Sequence, residues 1–146
     1  MGLEKKSRPL AKADRSTNQT IPNLTYQTIS FDTETYDTDG MFTPTNTKVY
    51  AKRFGGYYLV IGSGGFQPNA TGYRIIFLRK NGTTSLAVHD FMPNGTYELV
   101  LEVEAIVYMN VNDYVELMVL QSSGGNLDTA GGGGFLFLTL AHLSGR

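Results

Sequence analysis

The chain has no cysteine and no tryptophan. Without thiols there is no disulfide framework and no thiolate metal site, so stability must come from packing and from assembly with other chains. Long apolar runs are missing too. Nothing approaches the ~20 consecutive apolar residues of a membrane-spanning helix, and the opening Met-Gly-Leu-Glu-Lys-Lys leads into no apolar segment of a secretion signal. The sequence therefore predicts no membrane partner. Histidine is limited to His89 and His142. No nucleophile-elbow spacing and no paired-carboxylate signature accompanies them, so the expectation is a protein that is not an enzyme and uses no cofactor.

What the chain does contain is Tyr, Phe, Thr and Val in short runs, broken by 17 glycines. That composition favours strands joined by turns, with almost no helix. Its 146 residues suit one domain with a core of its own. The clearest segment follows Asn94-Gly95. Tyr97, Leu99, Leu101, Val103, Ala105 and Val107 alternate with Glu98, Glu102 and Glu104, a period of two that a helix cannot accommodate. Further strands are expected at Thr20-Ile21-Pro22, Thr28 to Phe31, Thr47 to Lys52, Gly56 to Gly62 (ending in a bend at Gly62 to Gly65), Gly72 to Lys80, Thr83 to His89, Tyr114 to Gln121 and Phe135 to Leu143. Asn81-Gly82 reads as a tight hairpin turn. The five Asn-x-Thr sequons, at Asn18, Asn23, Asn69, Asn81 and Asn94, read as turn chemistry. In the last strand Phe135 and Phe137 lie on one face and Leu136, Leu138 and Leu140 on the other. A strand apolar on both faces must be covered on both, so one face is expected to meet a neighbouring subunit.

Charge divides the chain. The first 18 residues carry Lys5, Lys6, Arg8, Lys12 and Arg15 against Glu4 and Asp14, while the rest of the chain is net acidic. This predicts an extended basic N-terminal arm over 1–18 and a β-sandwich over 19–146. The arm alone does not indicate nucleic-acid binding, because an acidic body repels phosphate. Asp32, Glu34, Asp37 and Asp39 form an acidic loop without the spacing of an EF-hand, so a solvated turn is favoured over a calcium site and no metal is assigned. The glycines from Gly131 to Gly134 precede no Lys-Ser/Thr pair and make no phosphate loop.

Three motifs carry a family resemblance. Gly56-Tyr57-Tyr58-Leu59-Val60 resembles a Gly-x-Tyr-x-aromatic strand, with Val60 in place of the aromatic. Asn112-Asp113-Tyr114-Val115-Glu116-Leu117 resembles a Gly-Asp-x-Val-x-Leu turn and strand, with Asn112 in place of the glycine. Gly134-Phe135-Leu136-Phe137 resembles a final Phe-x-Gly-x-Leu strand with its order altered. Together they resemble the jelly-roll head of the tumour necrosis factor and complement-q superfamily, without a collagen-like stalk. The resemblance implies an all-β antiparallel jelly-roll sandwich that assembles as a homotrimer. Phe31 to Met41 and Asn69 to Arg74 are in addition similar to segments of small virion proteins of tailed bacteriophages. That second likeness implies a capsid decoration protein, made in the host cytoplasm and located on the virion. In that picture Tyr57, Tyr114, Phe135 and Phe137 form the trimer interface. The arm residues Lys5, Lys6, Arg8, Lys12 and Arg15 grip the major capsid protein. A receptor-binding tip of a tail fibre or baseplate is the alternative.

Overall fold

In a computed structural model of the chain, residues 7–132 and 134–145 are described. They form twelve strands: β1 (Leu10–Asp14), β2 (Thr20–Ile21), β3 (Gln27–Thr28), β4 (Thr33–Asp37), β5 (Val49–Tyr50), β6 (Gly56–Phe66), β7 (Arg74–Lys80), β8 (Thr84–Phe91), β9 (Leu99–Met109), β10 (Tyr114–Gln121), β11 (Leu127–Asp128) and β12 (Phe137–Ser144). One sheet runs β4-β1-β12-β6-β9; the other runs β3-β10-β7-β8, with β5 also on β10, and β11 pairs with β2 in a small third ladder. Every pairing is antiparallel. The two large sheets stack as a jelly roll, as the alternation and turn spacing predict.

Alternation decides what goes inside. Tyr58 and Val60 of β6, Leu101 and Val103 of β9, and Leu138 and Leu140 of β12 meet Ile76 and Leu78 of β7 and Val115, Leu117 and Val119 of β10 in one core. The faces of β7 are set by packing. Ile75 and Phe77 face outward and are half-buried, while Arg74, Ile76 and Leu78 point in. The bend expected at Gly62 to Gly65 is also absent, since β6 continues to Phe66 and pairs with β9 along its whole length. The glycines there serve close packing instead. A Cβ on Gly62 would lie 2.8 Å from Leu117 Cδ1, and one on Gly64 2.9 Å from Ile76 Cγ2, so the facing sheet occupies the space a side chain would need.

The turns follow their local chemistry. Asn81 and Gly82 both have positive φ (52° and 71°), the twist-matched hairpin geometry. The side-chain carbonyl of Asn69 accepts the Thr71 N–H two residues on, the turn role read from the sequons, whereas those of Asn18 and Asn23 accept the N–H groups of Gly131 and Gly124 and tie distant loops together instead.

The largest correction concerns the arm. Residues 10–14 are not outside the body: β1 lies between β4 and β12, with Ala11 and Ala13 fully buried. The chain is already held before β1. Arg53 donates to the Ser7 carbonyl, and the His142 N–H donates to the Pro9 carbonyl at 2.9 Å. The body therefore begins about ten residues earlier than the 18/19 boundary. The acidic loop likewise contains β4, which forms one edge of the same sheet.

Candidate interaction surfaces

The ladder registers give the outward face of the β4-β1-β12-β6-β9 sheet row by row. Tyr57 of β6 lies opposite Tyr108 of β9, and their rings meet edge to face at 5.4 Å. The next row joins Leu10, Ala141, Leu59 and Ile106. The row after that joins Tyr36, Lys12, Thr139, Ile61 and Glu104, and the last joins Asp14, Phe137, Ser63 and Glu102. Apolar side chains stand open to solvent at one end of this face, with Ile106 65% exposed and Tyr57 47% exposed, while Leu10, Leu59 and Ile61 are half-buried. A contiguous apolar patch of this kind on the flat of a sheet is a candidate interaction surface.

Of the residues expected at a subunit interface, Tyr57 and Phe137 lie on this face. Phe137 is roofed by the Lys12 ammonium 4.4 Å from its ring centroid, and Lys12 is 3.7 Å from Asp14. Phe135 precedes β12 and is half-buried, its carbonyl accepting the Ser63 hydroxyl at 2.9 Å. Tyr114 sits on the other sheet, packed on Tyr50 at 5.5 Å beneath Lys48, so the structure does not bring it to the face that holds Tyr57. Leu59, Ile61, Ile106 and Tyr108 are the members that sequence reading missed. The sequence carries a signal for them: Val100, Ile106 and Tyr108 share the period-two face of Glu102 and Glu104.

The basic arm divides into parts. Lys5 and Lys6 lie outside the described residues. Arg8 is exposed and has no polar partner among the described residues. Arg15 is an internal brace, its guanidinium donating to the carbonyls of Ser30 at 2.7 Å and Asn18 at 2.9 Å. Lys12 lies flat on Phe137. The capsid-gripping role expected of Lys12 and Arg15 therefore competes with contacts each already makes within its own chain.

The acidic loop is dispersed rather than gathered. Asp37 accepts the N–H groups of Asp39, Met41 and Phe42, Asp39 is 3.5 Å from Arg53, and Glu34 is exposed on β4. No group of acidic or histidine side chains among the described residues is placed to hold a metal ion. The two histidines are far apart in role. His89 Nδ1 lies 2.9 Å from the Glu102 carbonyl, linking the edges of the two sheets, and His142 is wedged between Phe54 and Tyr58.

Two aspartates are tuned by their partners. Burial pushes the Asp32 carboxyl up, but the hydroxyl and N–H of Ser16 and the charge of Arg15 outweigh it and hold it below the usual value. For Asp113, burial again pushes up, and the Asn81 amide, the Asn110 N–H and Lys80 together bring it down. A carboxyl depressed in the folded state stabilises the fold at neutral pH. That contribution starts to fade below about pH 4, where the unfolded chain takes up the proton more readily, and it is gone once the folded carboxyl is protonated too. The melting temperature is expected to fall between pH 7 and pH 3. The double variant Asp32→Asn, Asp113→Asn is expected to show a smaller fall, measured by circular dichroism.

No family model matches the sequence, and no curated protein matches it. Solved structures share the fold. Murine APRIL superimposes with a TM-score of 0.69 at 8% identity, covering 94% of this chain and 100% of that one. The globular domain of zebrafish complement 1qA gives 0.69 at 14% identity, covering 96% and 100%. The Eiger TNF of S. frugiperda gives 0.68 at 14% identity, covering 96% of each. The class of structure is thus the jelly roll seen in tumour necrosis factor and complement-q globular domains. At such low identity the likeness establishes fold and nothing finer.

Proposed function

We propose that this protein is a homotrimeric jelly-roll head that decorates the outside of a bacteriophage capsid. The observation that carries the assembly is the open apolar face around Tyr57, Leu59, Ile106 and Tyr108. Covering it with a second copy removes that surface from water, and a contact between unlike surfaces of successive copies closes into a ring. The count of three comes from the superfamily resemblance. Attachment to the major capsid protein falls to residues 1–8, where Lys5, Lys6 and Arg8 remain after Lys12 and Arg15 are assigned to the fold. Each such charge pair is weak alone, so repeated contacts across three copies supply the strength. The virion setting is supported by the likeness of Phe31 to Met41 and Asn69 to Arg74 to phage segments.

Light scattering is expected to report three copies of the chain, and Ile106→Glu to shift it toward one. A monomer for the unaltered protein rejects the reading. For attachment, a variant lacking residues 2–6 and carrying Arg8→Ala leaves the β1 ladder intact. It is expected to stay folded and trimeric but to stop sedimenting with purified capsids; normal decoration removes the role of the arm.

The second reading, a receptor-binding tip of a tail fibre or baseplate, is favoured by one observation. The turn between β8 and β9 holds Phe91, Met92 and Tyr97 in solvent, at the opposite end of the sandwich from Ser7 and Ser144. Electron microscopy that locates labelled protein on tails instead of heads decides for it.

A further inference from the structure

We propose that the β8–β9 turn is a binding site for one ring of a neutral saccharide, with Tyr97 and Phe91 as its apolar platform and Asn94 and Glu98 as its polar contacts. This goes beyond the assembly described above and does not depend on it. The turn encloses an open cavity of about 220 Å³ lined by Phe91, Met92, Asn94, Tyr97, Glu98 and Leu99 among others. That volume suits a single sugar unit and falls short of the usual ~300 Å³ lower bound for a drug-sized ligand. Tyr97 is 78% exposed and Met92 76% exposed, an arrangement that costs hydration unless something apolar covers it.

The polar groups beside these rings are uncommitted. Among the described residues the Asn94 amide, the Tyr97 hydroxyl and the Glu98 carboxylate have no hydrogen-bond partner. An amide both donates and accepts, and a carboxylate accepts from two hydroxyls at once. A pyranose presents the matching surfaces: a face of C–H bonds that lies on the electron-rich face of an aromatic ring, and a rim of hydroxyls that donate and accept. Charge selects among saccharides. No Lys or Arg lines the cavity and Glu98 does, while Asp90 and Glu102 stand on the adjoining strands. An acidic sugar is repelled and a neutral one is not.

The site is also held in shape. Gly95, at φ 88°, approaches Ala70 so closely that a Cβ there would lie 2.4 Å from the Ala70 Cβ. The neighbouring loop is fixed in turn by Arg74, which is fully buried. Its guanidinium donates to the carbonyls of Asn69 at 2.9 Å, Thr71 at 2.9 Å and Tyr73 at 3.0 Å. The Asn69 to Arg74 segment thus acts as a buttress behind the β8–β9 turn. A turn ordered in advance loses little entropy when a ligand docks.

The experiment titrates the whole protein with the methyl glycosides of glucose, galactose, mannose and N-acetylglucosamine, with methyl glucuronide as the charged control, and follows backbone amide resonances. At least one neutral glycoside is expected to shift residues 91–99 with a dissociation constant on the order of 1 mM. Tyr97→Ala is expected to weaken that binding about tenfold or more, and Tyr97→Phe to retain most of it, with the mass from light scattering unchanged in both. The proposal is overturned if no neutral glycoside shifts these residues at millimolar concentration, if the glucuronide binds as well as the neutral sugars, or if Tyr97→Ala binds like the unaltered protein. A monomeric protein that still binds the glycoside leaves this site standing and rejects only the trimer.

Discussion

Arg74→Met is expected to lower the free energy of unfolding by about 2–4 kcal/mol. The methionine fills part of the same space but cannot donate, so the carbonyls of Asn69 and Thr71 lose their donor, while the Tyr73 carbonyl keeps the Ser122 N–H at 3.1 Å. A fully buried carbonyl left without a donor costs about 1–3 kcal/mol, and the part-buried Asn69 and Thr71 carbonyls fall toward the lower end of that range. An opposing effect comes from removing a buried cation, because the guanidinium is fully enclosed, has no carboxylate partner, and is pushed below its usual pKa by burial. That desolvation is partly offset already by three carbonyl dipoles and by the Phe66 ring 5.9 Å away. The lost hydrogen bonds therefore outweigh the relief. Arg74→Lys is expected to recover only part of the stability, since one ammonium cannot reach three carbonyls with the planar fork of a guanidinium. Urea unfolding followed by circular dichroism reads both variants. An unaltered midpoint for Arg74→Met would show that the loop closes without its cation.

Deletion of residues 1–17 is expected to abolish cooperative unfolding, whereas the shorter deletion of residues 2–6 is expected to leave the melt unchanged. The longer deletion removes β1 from between β4 and β12. It strips Phe137 through Ala141 of their partners on one side, leaving only β6, takes Ala11 and Ala13 out of the core, and severs β4 from its sheet. Losses of this extent are comparable to the whole stability of a domain, about 5–15 kcal/mol. Residues 2–6 precede every ladder described. A cooperative thermal transition in the longer deletion, at the temperature of the full chain, would mean that β1 contributes nothing to the fold.

The two deletions expose where sequence reading stopped. Leu10-Ala-Lys-Ala-Asp14 does alternate, but its inward residues are two alanines, whose small apolar surface and weak strand preference give little signal beside Lys12 and Arg15. Both alanines are fully buried, a fact of packing that no local pattern carries. β4 was hidden for the opposite reason. Thr33 to Asp37 is polar throughout, and it forms a strand only because β1 offers it an edge. The Gly62 to Gly65 run was legible as special, yet its cause was misread, since the side chains that exclude a Cβ there belong to β7 and β10 on the facing sheet.

Local chemistry by itself determined the all-β class, the Asn81-Gly82 hairpin, the alternation of β9 from Leu99 on (Tyr97, read into the same strand, lies exposed in the turn before it), the span of β10 and the two-faced apolar character of β12. These depend on residues adjacent in the chain, where a period of two or a positive-φ dipeptide has one reading. The tertiary structure decided the rest. It put β1 inside the sheet, separated Tyr114 from Tyr57, joined Tyr57 to Tyr108 and Leu59 to Ile106 across a ladder, and set Arg74 behind the β8–β9 turn. Each of these pairs residues far apart in sequence, and such contacts are fixed by sheet register and by which sheets stack, not by any preference of the residues themselves.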